Sequence, residues 1–512
     1  MGVVSNLVVG LLFNVLLIYA VPLSTVNSIH LPSIGRFWHI SDLHLDPSYH
    51  VTDDHTKVCF SSKGVPASNP GLFGDFMCDS PYQLILSAFQ HMKQVAPQPE
   101  FMIWTGDSPP HVPAGELSTD VVIQVISNMT QTIREFFPDM LVYPALGNHD
   151  YWPQDQLPTS TNDIYQAAAK LWEPWLKPEA LVTLREGKLL VFRTWELVLG
   201  LLIRPLGAWY YYAFAFCIVF NLHKHLHIDN PCRTHNTLIQ HTITLLDPQF
   251  DVFCEGGFYS QMVQPKLRLI SLNTILYYSP NEVTVNMSDP AGQFRWLQDT
   301  LEASAQSMEK VIVIAHVPVG YLPFARNTTA VREAYNERLV KIFRDYSDII
   351  SGHFYGHTHR DSIMVLQDQQ GEPVNSLFVT PAVTPIKSAE EPYSNNPAFR
   401  MYHYDPQDYR LLDIWQYYLN LTEANQEKRS DWKLEYVMTE AFGLKDIQPD
   451  SLFKLVLSFK MQQSKAFQKY FSHFMVSYDD TIVCDGACKL TQVCAVQSLD
   501  HASYSKCIEK GH

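Results

Sequence analysis

The sequence predicts an α/β fold of layered β-sheets flanked by helices. Three observations predict it. Short apolar, β-branched runs bounded by Gly and Pro read as buried strands; amphipathic stretches at helical spacing lie between them; and a metal-type residue follows each run. In chain order, Arg36-Phe37-Trp38-His39-Ile40 runs into Ser41-Asp42-Leu43-His44, and Phe101-Met102-Ile103-Trp104 into Thr105-Gly106-Asp107. Leu141-Val142-Tyr143-Pro144-Ala145-Leu146 leads to Gly147-Asn148-His149-Asp150. Val311-Ile312-Val313-Ile314-Ala315 leads to His316, and Asp348-Ile349-Ile350 leads, after a short gap, to Gly356-His357-Thr358-His359. Val122, Val125, Ile126, Met129, Ile133 and Phe136 mark one face of an intervening helix. Strands alternating with helices indicate layered sheets, and such sheets bind ligands at their strand carboxyl ends.

At roughly 150 residues per domain, 512 residues allow two to four domains. With 46% hydrophobic and 17% charged residues the chain can bury a large core, which excludes wholesale disorder. The formal charge of −15, with no basic block, argues against a nucleic-acid duplex as partner, because phosphate contacts need clustered Lys and Arg.

The chemistry sits at the strand ends. Asp42 and His44 are two apart, so on a continuing strand they would share a face, and His357 and His359 repeat the spacing. Asp107, Asn148 and His316 add oxygen, oxygen and nitrogen donors. The seven side chains suit two divalent ions bridged by one carboxylate. Ions roughly 3.5–4 Å apart can hold a phosphoryl group and generate hydroxide near neutral pH. Gly106 and Gly147 permit tight turns beside them.

Asp42-x-His44, Gly106-Asp107, Gly147-Asn148-His149-Asp150, His316 and Gly356-His357-Thr358-His359 resemble the calcineurin-type metallophosphoesterase signature, in its usual order. Three longer words, Ser41-Asp42-Leu43-His44-Leu45-Asp46-Pro47, Trp104-Thr105-Gly106-Asp107-Ser108-Pro109-Pro110-His111 and Ala315-His316-Val317-Pro318-Val319-Gly320, narrow the resemblance. They are similar to the acid sphingomyelinase-like phosphodiesterases of the 3A type, over nearly the whole chain except 188–256. The resemblance implies a layered metallophosphoesterase β-sandwich with two zinc ions. One would be held by Asp42, His44, Asp107 and His359, the other by Asp107, Asn148, His316 and His357. It places His149 on the scissile phosphate, with His111 and Asn148 also binding substrate. His149 or His111 would protonate the leaving oxygen after attack by metal-activated hydroxide. The implied substrates are phosphodiester or pyrophosphate bonds of soluble nucleotides, such as nucleoside triphosphates and CDP-choline-like compounds, hydrolysed by a monomer. The signature begins at Asp42, which leaves no room ahead of it for a lipid-lifting saposin module. The alternatives are a membrane-acting sphingomyelin phosphodiesterase and an inactive zinc-binding secreted glycoprotein.

Leu7 to Ala20 resembles the apolar part of a secretory signal over 1–20, without the basic start. Sequons at Asn128, Asn286, Asn327 and Asn420 fit secretion or a lysosomal lumen. Six of the nine cysteines lie in the outer parts of the chain, and in an oxidising compartment local pairing gives Cys59–Cys78, Cys484–Cys488 and Cys494–Cys507, one of 15 possible sets. The other three fall in an atypical insertion, 188–256, which reads as a translated intron or isoform segment. Its apolar stretch, Leu206 to Leu222, cannot be a single membrane span, because ligands precede and follow it. The expected organisation is a catalytic domain over 34–409, interrupted by that insertion, then a helical, disulfide-pinned subdomain over 410–512. Within it, Trp432 to Glu440, Ser451 to Lys460 and Ser464 to Phe474 carry helix-like apolar spacing.

Overall fold

A computed structural model describes residues 34–96, 98–186, 256–387 and 393–511. The expected signal and, apart from Gly256, the insertion with its cysteines lie outside the described residues. From Gly35 onward the chain forms one unit. Its strands are β1 (Gly35–Ile40), β2 (Phe101–Trp104), β3 (Val142–Pro144), β4 (Tyr259–Gln264), β5 (Leu267–Ser271), β6 (Lys310–Ile314), β7 (Ile350–Tyr355), β8 (Ser362–Gln367), β9 (Pro373–Val379), β10 (Ala398–Tyr404), β11 (Leu411–Tyr418) and β12 (Lys433–Val437). They form two six-stranded sheets, ordered β12-β11-β10-β1-β2-β3 and β4-β5-β6-β7-β9-β8. Each sheet contains a parallel block (β1-β2-β3 and β5-β6-β7-β9), so each presents those strands' carboxyl ends along one edge.

Strand alternation builds the sandwich. Phe37 points inward, stacking on Phe101 and Tyr402 at 4.8 and 5.0 Å and meeting Phe354 of the opposite sheet edge-on at 5.4 Å. Trp38 points outward onto Phe399 and Tyr417, toward the helix Tyr82–Val95, whose Leu84, Ile85, Phe89 and Met92 are buried. The helix expected from Val122 to Phe136 spans Thr119–Phe136 and is capped by Ser118, whose hydroxyl accepts the Val121 N–H.

Two expectations need correction. The last signature strand does not end near Ile350 but runs through the apparent gap, because Gly352 and His353 are buried between β6 and β9. The C-terminal part is not helical from 410. β11 and β12 pair into the first sheet, so Trp432–Glu440 is mostly strand, followed by a short helix Met438–Phe442. Its apolar spacing fitted both periods, and the strand is anchored by Trp432 donating to Ser87 and Tyr436 donating to Asp361. Helices Pro449–Phe459 and Lys465–Phe474 follow where expected. Bridges Cys59–Cys78, Cys484–Cys488 and Cys494–Cys507 are formed, the last tying helix Gly486–Gln497 to helix His501–Lys510. Asn128, Asn286 and Asn327 are exposed, while Asn420 caps the helix Leu421–Glu427.

His353 gives a pH-dependent stability term. It is fully buried beside Phe343, with Nε2 3.3 Å from Asn375 Oδ1, and burial pushes its pKa down to about 4. The unfolded chain then binds a proton that the folded chain refuses, so this stability is complete above about pH 6.5 and is lost as pH falls toward about 4. Chemical unfolding of the wild type and His353→Gln should show the wild type losing up to about 3 kcal/mol more than the variant between pH 7 and 4. Equal losses would contradict the assignment.

Candidate active site

Five loops leaving β1, β2, β3, β6 and β7 bring all seven predicted donors to one place. They do so differently from the expected strand faces. Asp42, His44, Asp107, His357 and His359 have φ of 51°, 37°, 59°, 73° and 60°, in the left-handed region. Each such residue costs about 1–3 kcal/mol and persists where its surroundings dictate it. Here the loops are laced together: Asp42 N–H donates to Gly106 O at 3.0 Å, His44 N–H to Asp107 O at 3.1 Å, and His357 N–H to the Asp42 carboxylate at 3.1 Å. Glycine is required at 147 because a Cβ there would lie 2.0 Å from Asp107 Oδ1.

The donors fall into two sets sharing Asp107. In the first, His359 Nε2 lies 3.4 Å from Asp42 Oδ1 and 3.3 Å from His44 Nε2, which is 3.4 Å from Asp107 Oδ2. In the second, His316 Nε2 lies 3.1 Å from the same Asp107 oxygen and 3.0 Å from Asn148 Oδ1; His357 Nδ1 is 3.0 Å from Asn148 Oδ1 and 3.3 Å from His316. Ligands on a tetrahedral ion with bonds of about 2.0–2.1 Å sit about 3.3 Å apart, so the spacing fits a metal in each set.

Outer hydrogen bonds aim the donors. His44 and His316 each give Nδ1–H to a carbonyl, of Pro109 and Thr105, both at 2.7 Å, which leaves Nε2 free for a cation. Asn148 donates to Asp155 at 2.9 Å, turning its oxygen inward. The field calls for positive charge: burial opposes protonation of His44 and His316, yet Asp42 and Asp107 raise both to about 9. Burial and then His316 push His357 down to about 3.

His149 and His111 stand beside the donor sets. Their rings are 4.2 Å apart, and His44 lies 4.8 Å from the first and 4.1 Å from the second. His149 is buried, its N–H donating to Asp107 Oδ1 at 2.9 Å; burial, then His111, holds its pKa well below the usual histidine value. The His111 side chain is 26% exposed, and its Nδ1 lies 3.0 Å from buried Asp79.

Three carboxylates escaped the sequence reading. Asp79 accepts the His111 N–H at 2.6 Å and the Thr384 hydroxyl at 3.0 Å. Asp150 accepts N–H groups of Asp107, Ser108 and Gly147 at 2.8–2.9 Å, clamping two loops, and burial with the Asp107 charge raises its pKa to about 6. Asp155 orients Asn148. Asp150 lay within the quoted motif; Asp79 had no signal beyond its neighbour Cys78. Asp79→Asn should leave metal content unchanged while lowering kcat about 10²-fold, checked by elemental analysis beside steady-state kinetics.

Two facing sheets with paired His and Asp clusters at their strand ends define a metallophosphoesterase. Residues 35–361 match the calcineurin-like phosphoesterase family, and residues 372–512 match the acid sphingomyelin phosphodiesterase C-terminal region. The chain belongs to the acid sphingomyelinase-like branch of that family and is a phosphoric diester hydrolase. It is 53% identical over 481 residues to human "Cyclic GMP-AMP phosphodiesterase SMPDL3A", covering 94% of this chain and 91% of that one. It is 35% identical to human "Acid sphingomyelinase-like phosphodiesterase 3b", covering 93% and 90%. "Sphingomyelinase phosphodiesterase C" of Dictyostelium discoideum is 30% identical, with 98% of both chains covered.

Proposed function

We propose that the chain is a secreted, zinc-dependent phosphodiesterase acting on soluble nucleotides. The observation that carries this reading is the single Asp107 oxygen lying 3.4 Å from His44 and 3.1 Å from His316, with His149 and His111 alongside. Asp42, His44, Asp107 and His359 would hold one ion and Asp107, Asn148, His316 and His357 the other. Two bound zinc ions supply Lewis-acid charge to a phosphate and lower the pKa of nearby water. His149 orients a phosphate oxygen from its buried position beside Asp107. His111, tied through Nδ1 to Asp79 and partly exposed, hands a proton to the leaving oxygen.

The nucleotide reading is supported by the relative named as a cyclic GMP-AMP phosphodiesterase, 53% identical over most of both chains. Secretion is supported by three disulfides and exposed sequons among the described residues, where no helix is long and apolar enough to cross a membrane. The relatives named for sphingomyelin favour a second reading, a sphingomyelin phosphodiesterase acting at membranes. Purified protein should be assayed with cyclic GMP-AMP, ATP, CDP-choline and detergent-dispersed sphingomyelin at acid and neutral pH. Nucleotide cleavage is expected. Cleavage of sphingomyelin alone would establish the second reading, and no turnover after zinc loading would establish an inactive glycoprotein.

A further inference from the structure

A groove of about 1120 Å³ lies at the edge of the second sheet, at the end of β8 that points away from the site loops. The register fixes that placement: Gln367, on its wall, pairs with Pro373 at the start of β9, whereas Tyr355, beside the site loop, pairs with Val379 at its end. The walls are the β8–β9 turn and the two helices tied by Cys494–Cys507, so a covalent bridge joins two of its walls. Leu366, Val493 and Leu499 give it a buried apolar floor.

The rim is cationic in a chain of formal charge −15: five Lys and Arg face two carboxylates. Arg344 is engaged by Asp500 at 3.0 Å, and Lys489 donates to Met461 O at 2.6 Å. Lys460, Lys506 and Lys510 make no ion pair among the described residues. Lys460 and Lys510 each stand at a helix carboxyl end, where one cation is favourable. That preference does not explain two such ends brought together, and burial, then the charge of Lys510, lowers the Lys460 pKa. An anion between them would relieve the repulsion. Gln369, Gln370 and Gln462 also line the groove, and side-chain amides suit hydroxyl groups.

We propose that this groove binds a sulfated glycan chain, with sulfates on Lys460, Lys506 and Lys510, hydroxyls on the glutamines and sugar rings over the apolar floor. Its concavity favours a chain over a lipid surface, which would need a projecting apolar face. The site is separate from the phosphodiesterase centre and does not rest on the choice of substrate there.

The test titrates the full chain with a heparin oligosaccharide at low salt, beside a K460Q/K506Q/K510Q variant and a control K63Q/K170Q/K428Q variant. Wild type and control should bind, and the groove variant should bind more than about tenfold more weakly, with binding of all three weakening as salt rises. Hydrolysis of bis(p-nitrophenyl) phosphate should be the same in all three, which shows that each has folded. No binding by the wild type, equal binding by the groove variant, or binding to anionic phospholipid vesicles but not to heparin would overturn the proposal.

Discussion

Asp107→Asn is expected to strip the protein of both metal ions and lower turnover by at least about 10³-fold. The physical reason is its shared position. One carboxylate oxygen faces both donor sets, at 3.4 Å from His44 and 3.1 Å from His316. The other oxygen accepts the His149 N–H at 2.9 Å. An amide keeps the shape but removes the negative charge that lets two cations approach one another. Elemental analysis after dialysis would read the metal content directly. Gly147→Ala should act in the same direction, since its Cβ would fall 2.0 Å from the same carboxylate. Two retained metals in Asp107→Asn would remove the shared carboxylate from the account.

His149→Ala is expected to behave in the opposite way as regards metals. It belongs to neither proposed donor set and meets them only through ring contacts and its backbone N–H. The ions should therefore stay while kcat falls about 10²–10⁴-fold. KM should change less, because in the proposed role the imidazole acts on the phosphate as charge develops. The distinction is sharp: Asp107→Asn loses activity through the ions, and His149→Ala loses it with them in place. Unchanged turnover in His149→Ala would defeat the assigned role.

Much of this site was legible because its donors follow apolar strands directly, so chain order alone announced Asp42, Asp107, Asn148, His316 and His357. The backbone conformation was not legible. Spacing by two suggests a shared strand face, yet Asp42 and His44 both lie in the left-handed region, held by loop-to-loop hydrogen bonds between residues some 65 positions apart. Asp79 was hidden for the same reason: its partners His111 and Thr384 are distant in the chain, and an isolated aspartate carries no periodic signal. Trp432–Val437 misled because Trp432 and Tyr436 fit helix and strand periods equally, and only pairing with β11 decides between them.

The bridge between Cys59 and Cys78 ends one residue before Asp79, the carboxylate that holds His111. The three segments forming this arm of the site depend on one another: a covalent loop fixes an aspartate, which fixes an imidazole. On the proposed roles, protein made where thiols stay reduced is expected to assemble both cation cradles while His111 is less well aimed. Full loading with metal and full turnover would then be separate milestones in the maturation of this enzyme.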